Sequence, residues 1–169
     1  MTAAGAFEFV SYKQFSENMR SSFGDLPEEE IKASYGRLKK PVRATGGSAG
    51  YDFYATRDIT LSPGEEIVVP TGLRVRMRSD FALLIFPRSG LGFRYRIQLS
   101  NTVGIIDSDY YGAKNEGHIL IKIANDSFEG RTLSLKEGDA FAQGVFFTYG
   151  VTEDDEAAGI RYGGFGSTG

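Results

Sequence analysis

The spacing of apolar residues changes period along the chain. Phe15, Met19 and Phe23 recur every fourth residue, the spacing that lines up one face of a helix. Ser11 precedes them with Gln14 three positions on, in capping-box spacing, and Gly24 offers a stop. A second start follows at Asp25, Pro27 and the run Glu28, Glu29, Glu30, where carboxylates offset the exposed amides and positive dipole end of a helix. Ile31, Tyr35 and Leu38 supply its apolar stripe before Pro41 ends the pattern. Residues 1–40 therefore read as a two-helix extension packed on a larger body.

From Ala44 onward the period falls to two. Runs rich in Ile, Val, Leu and Phe at 65–70, 72–77, 81–86, 118–124, 131–135 and 142–149 are separated by Gly, Pro, Asn and Asp. They predict a mostly β sandwich or barrel. Pro63-Gly64 and Glu137-Gly138-Asp139 are its clearest turns. No repeat is present, and the tail 163–169 is glycine-rich.

Composition narrows the chemistry. The chain has 169 residues, no cysteine and one histidine, His118, which excludes disulfides, iron–sulfur clusters, a thiolate nucleophile and a Cys/His zinc site. Carboxylates remain for acid/base work. With 19 Lys+Arg against 22 Asp+Glu, the net charge is −3, so there is no global basic field for a nucleic acid partner. Neither a signal peptide nor a run of about 18 apolar residues is visible, and a soluble cytoplasmic protein with no membrane contact is expected. Glycine is in excess, 22 of 169 residues or about 13 % against about 7 % on average, which calls for tight turns or close backbone approaches.

Four places combine residue types that suit chemistry. Pro87-Arg88-Ser89-Gly90-Leu91-Gly92 places a guanidinium, a hydroxyl and flexible amides at a strand end, a phosphate cradle or a plain exit into a loop. In Asn101-Thr-Val-Gly-Ile-Ile-Asp107-Ser-Asp-Tyr110 an apolar strand edge carries Asn at one end and two carboxylates at the other; Asp107 and Asp109 there are general-base candidates or turn formers. Gln143, after Gly138-Asp-Ala-Phe-Ala, is polar inside an apolar run and either needs buried partners or faces outward. The terminus Arg161-Tyr-Gly-Gly-Phe165-Gly166-Ser167-Thr168-Gly169 mixes a cation, an aromatic and hydroxyls as a closing arm would, though glycine-rich ends are ordinarily disordered. His118 stands at a predicted strand start with no serine-nucleophile signature near it, and is read as structural.

These four places, in this order and joined by Ala49-Gly50-Tyr51-Asp52-Phe53-Tyr54-Ala55, resemble the five motifs of the trimeric dUTPase family over residues 41–169. The resemblance implies a dUTPase-like β-barrel or jelly roll of the β-clip type over 41–160, an arm at 161–169, and a homotrimer that hydrolyses dUTP to dUMP and pyrophosphate with Mg2+. It implies that Asp107 activates the water attacking the α-phosphorus. Arg88, Ser89, Gly90 and Gln143 would hold phosphates, while Asn101 and the backbone of Gly104, Ile105 and Ile106 read the uracil edge. Tyr110 would pack on the deoxyribose. Phe165 would stack on the base with Gly166 beside it, and Arg161, Ser167 and Thr168 would bind the γ-phosphate. No protein ligand would touch the metal directly, with Asp52 near its water shell.

The chain departs from that pattern in several places. The family's GDRIAQ stands here as Gly138-Asp-Ala140-Phe-Ala-Gln143, its Lys-His-Gly as Arg94-Tyr95-Arg96, and residues 113–117 look like a short insertion. The helical extension is also outside the usual core, and it or the 113–117 segment is the place for any protein partner. Two other readings stay open: a dCTP deaminase of the same superfamily, whose third motif should carry a glutamate, and a dUTPase with an added protein-binding, regulatory role.

Overall fold

A computed structural model describes residues 2–159 and Gly163. In chain order it has β1 (Gly5–Phe9), α1 (Tyr12–Phe23), α2 (Glu28–Gly36), β2 (Val42–Arg43), β3 (Tyr51–Tyr54), β4 (Ile59–Leu61), β5 (Glu66–Pro70), β6 (Leu73–Met77), β7 (Phe81–Pro87), α3 (Ser89–Tyr95), β8 (Ile97–Leu99), β9 (Gly104–Ile106), a 3₁₀ turn (Ser108–Gly112), β10 (Leu120–Asn125), β11 (Leu133–Leu135) and β12 (Ala140–Thr148). The strands make small antiparallel sheets, the largest ordered β2-β3-β12-β7-β9 and another β5-β10-β8. The architecture is the expected mostly β, jelly-roll-like one. Its core gathers Phe53, Leu83, Ile85, Ile123, Leu133 and Phe141, all buried, and one register shift lies between Ala140 and Ala142.

Both expected helices form. Ser11 caps α1 and accepts from the Gln14 amide, but Gln14 does not close the capping box, because its side chain donates to Asn18 instead. The amide of Ser11 goes to Glu116, far along the chain. Helix α2 ends at Gly36, so Leu38 lies beyond it; its side chain fills the space over Gly72, where a Cβ would collide with it. Val10, Phe15, Met19 and Ile31 form a second buried cluster, with Phe23 packed against both clusters. Arg37 holds Glu137 through two hydrogen bonds of 2.6 and 2.9 Å, and the Tyr35 hydroxyl donates to the Val10 carbonyl. The first forty residues are not purely helical: β1 pairs with β6 from Gly5↔Met77 to Phe9↔Leu73.

His118 is fully buried. Its Nε2 accepts from the Gly72 amide at 2.8 Å, which fixes the Nδ1–H tautomer, and Nδ1 lies 2.7 Å from Asn18 Oδ1. It is structural, as expected, and ties α1 to the barrel. Burial lowers its pKa from 6.5 to about 4, against a smaller opposing effect of Glu116. The unfolded chain therefore binds the extra proton first as pH falls. This group costs no stability above about pH 6.5; the loss grows down to about pH 4 and amounts to about 3 kcal/mol. Urea unfolding at pH 7.5 and 4.5 checks this: His118→Asn is expected to flatten that part of the pH dependence, and an unaltered slope would refute the assignment.

Candidate active site

Three strands of the largest sheet carry the polar side chains of one cluster. In the register β3-β12-β7, Asp52 lies opposite Gln143 and Gln143 opposite Phe86, and directly opposed residues share a sheet face. Arg88, two residues past Phe86, falls on that face too and reaches Asp52, Nε to Oδ1 3.3 Å. Gly50 lets the row close up, since a Cβ there would collide with Gln143 Oε1. The Gln143 amide donates to the Pro87 carbonyl at 3.4 Å. Ser48, Gly50, Asp52, Arg88, Ser89 and Gln143 are among the residues lining a cavity of about 400 Å³. Ser89 opens α3, so its amide and that of Gly90 have no acceptor within the helix. Of the two readings left open for this segment, the plain exit into a loop is not what forms: the strand runs into a helix start, in a segment whose glycines hide helical propensity.

A second cavity of about 350 Å³ lies behind the same sheet. Its lining includes Ile85, Leu99, Asn101, Gly104, Ile106 and Lys122. Ile85 and Phe86 are consecutive on β7 and so point to opposite faces; one lines the apolar cavity, the other the polar one. Asn101, Gly104 and Ile106 are brought together. Ile105 alternates to the outer face and is 59 % exposed. Lys122 was missed in the sequence, although it interrupts the apolar alternation of 118–124.

Asp107 follows β9, half-buried, and caps the 3₁₀ turn with its backbone, its carbonyl accepting from the Tyr110 amide at 3.2 Å. Tyr110 is buried. The pairing Ile106↔Leu83 puts Asp107 level with Ala82, six residues along β7 from Arg88, or on the order of 20 Å. One chain therefore separates Asp107 from the Arg88 cavity. Arg161, Phe165, Gly166, Ser167 and Thr168 lie outside the described residues.

Residues 37–169 match the family model described as dUTPase. The chain belongs to the dUTPase family. It is 39 % identical over 132 residues to a deoxyuridine 5'-triphosphate nucleotidohydrolase of Lactococcus lactis, covering 76 % of this chain and 87 % of that protein. The crystal structure of a dUTPase from Streptococcus mutans superposes with a TM-score of 0.64 at 30 % identity, over 88 % of this chain and 98 % of that one. A point mutant of the dUTPase from phage phi11 of S. aureus, whose structure reveals the coordination of a structural Mg(II) ion, shares the fold with a TM-score of 0.59 at 23 % identity, over 72 % and 91 % of the two chains.

Within the family pattern, Ala140 is the main departure near the polar cluster. It pairs with Tyr54 across β3 and β12. Cations reach this region from the extension instead: Arg37 on Glu137, and Lys39 with its Nζ 5.7 Å from the Tyr54 ring centroid. Burial raises the Tyr54 pKa, and the charge of Asp52 adds to the effect. Among the described residues no helix is long and apolar enough to cross a membrane.

Proposed function

We propose that this chain hydrolyses dUTP to dUMP and pyrophosphate as a Mg2+-dependent homotrimer. The observation that carries this reading is the pairing of a polar cavity around Arg88, Ser89 and Gln143 with an apolar one lined by Asn101, Gly104 and Ile106, the last of which directly precedes Asp107. A nucleotide needs both, and the sheet separates them. The site is then completed by a second copy, whose phosphate cavity meets the base cavity and Asp107 of the first. The outer face of the five-stranded sheet leaves Val42, Ile105 and Phe147 exposed at 54 %, 59 % and 46 %, apolar side chains that a second copy could cover.

Asp107 takes the proton of the attacking water, which strikes the α-phosphorus in line. Arg88, Ser89, Gly90 and Gln143 hold the phosphate oxygens, with the guanidinium supplying the local cation that the acidic chain lacks overall. Asn101 and the backbone of Gly104–Ile106 pair with the uracil edge, and Tyr110 lines the sugar. Arg161, Phe165, Gly166, Ser167 and Thr168 act as the arm that covers base and γ-phosphate. The donors at the polar cavity fit Mg2+, because a single carboxylate, Asp52, with the Gln143 carbonyl suits an ion that keeps its waters and binds mainly substrate phosphates. Bound there, the metal would neutralise part of the triphosphate charge.

A nucleotide panel with separate pyrophosphate and ammonia readouts tests this. Turnover of dUTP with little of dTTP, dCTP or UTP is expected, and hydrolysis in 18O-water should label dUMP and not pyrophosphate. Ammonia from dCTP, or label in pyrophosphate, would overturn it.

A further inference from the structure

The insertion at 113–117 and the N-terminal segment converge on one element, the 3₁₀ turn that carries Tyr110. Asn115 Nδ2 donates to the Tyr110 hydroxyl at 2.7 Å, and that hydroxyl donates to the His118 carbonyl at 2.9 Å. Glu116 then takes both groups of the α1 cap, the Ser11 amide at 2.7 Å and its hydroxyl at 2.6 Å. This is the capping contact that Gln14 does not make, supplied from across the fold, with a carboxylate at the positive end of the helix. On the other side of the turn, the Tyr111 hydroxyl donates to Glu8 of β1 at 2.8 Å, and the Arg74 guanidinium stacks 4.5 Å from the Tyr111 ring centroid. Every one of these contacts is long-range or crosses the insertion.

Backbone geometry in the insertion points the same way. Glu116 has φ +59°, an uncommon conformation for a residue with a side chain. Gly117 follows at φ +68°, and a Cβ there would lie 2.7 Å from the Tyr110 carbonyl oxygen and 2.8 Å from Tyr111 Cα. Such strain persists where the surroundings hold it in place, and here the two Ser11 contacts do so. Asn115 Oδ1 is buried with no partner among the described residues.

We propose that Asn115 and Glu116 are positioning residues: together with Ser11 and Glu8 they form a brace that fixes the Tyr110 ring, and with it the discrimination between a 2'-deoxyribose and a ribose nucleotide. The proposal rests on the reading of Tyr110 as the residue lining the sugar. It gives the N-terminal segment and the insertion one shared task. Asparagine at 115 is needed as a donor, and the carboxylate at 116 as a double acceptor.

The measurement is the ratio of kcat/KM for dUTP to that for UTP, alongside the melting temperature. Asn115→Asp keeps the shape and removes the donor; the ratio is expected to fall about tenfold or more, chiefly through faster turnover of UTP. Glu116→Ala should lower it in the same direction, with Glu116→Gln, which keeps one acceptor, between it and the native chain. Lower melting temperatures with an unaltered ratio in all three would overturn the proposal and leave the brace merely structural. The same discrimination is read without chemistry by calorimetric binding of dUDP against UDP. A native chain that prefers dUDP but does not hydrolyse dUTP would refute the activity and leave the brace testable by binding; one with no preference would refute the brace.

Discussion

Asp107→Asn is expected to fold as the native chain does and to lose dUTP turnover by about 10²- to 10⁴-fold, the range a positioned general base contributes. The substitution is isosteric, and the 3₁₀ turn keeps its anchor because the bond from the Tyr110 amide is to the Asp107 backbone carbonyl. What is lost is the carboxylate oxygen able to take a proton from water. Nucleotide binding should survive, since no phosphate group is assigned to Asp107. Single-turnover assays with a melting curve on the same sample check both halves. Robust turnover by the folded variant would remove Asp107 from the reaction, and loss of the fold would make its role architectural.

Local pattern carried part of the fold. The start of α1 was legible because Ser11 and the four-residue spacing of Phe15, Met19 and Phe23 are local signals, and β5, β6, β7, β10, β11 and β12 were legible as runs rich in Ile, Val, Leu and Phe bounded by turn residues. β4, β8 and β9 have three residues each and no apolar run long enough to set them apart from their flanking segments. β1 precedes the helices and is a strand by virtue of its partner, β6. The brace was beyond any local reading: Ser11 and Glu116 are 105 positions apart.

The candidate site was legible in another way. Residue types alone left Arg88, Asp107 and Gln143 between chemistry and ordinary turn or surface roles. The ordered motifs supplied their expected roles through a family resemblance. Alternation of Ile85 and Phe86 supplies what neither could, namely that the apolar and polar cavities lie on opposite faces of one sheet. Under the proposed reading, it also explains how a single chain of ordinary domain size would hold every motif and still need a second copy to complete a site.

That separation leads to the other large effect expected. Arg88→Ala and Asp107→Asn chains should each be nearly inactive alone, the first for want of the phosphate-binding cation and the second for want of the base. Refolded together at equal amounts, they should regain activity. If each site takes Asp107 from one subunit and Arg88 from its neighbour, random assembly gives intact sites wherever an Arg88→Ala chain supplies Asp107 and an Asp107→Asn chain supplies Arg88, or about one quarter of all sites. Neither parent sample contains any such site. Were both residues drawn from the same chain, no mixture could unite them, and activity would stay at the level of the parents. The roughly 20 Å between the two positions along β7 favours the first outcome. Titrating the ratio of the two chains sharpens the test, because recovered activity should follow the product of their fractions and peak at equal amounts.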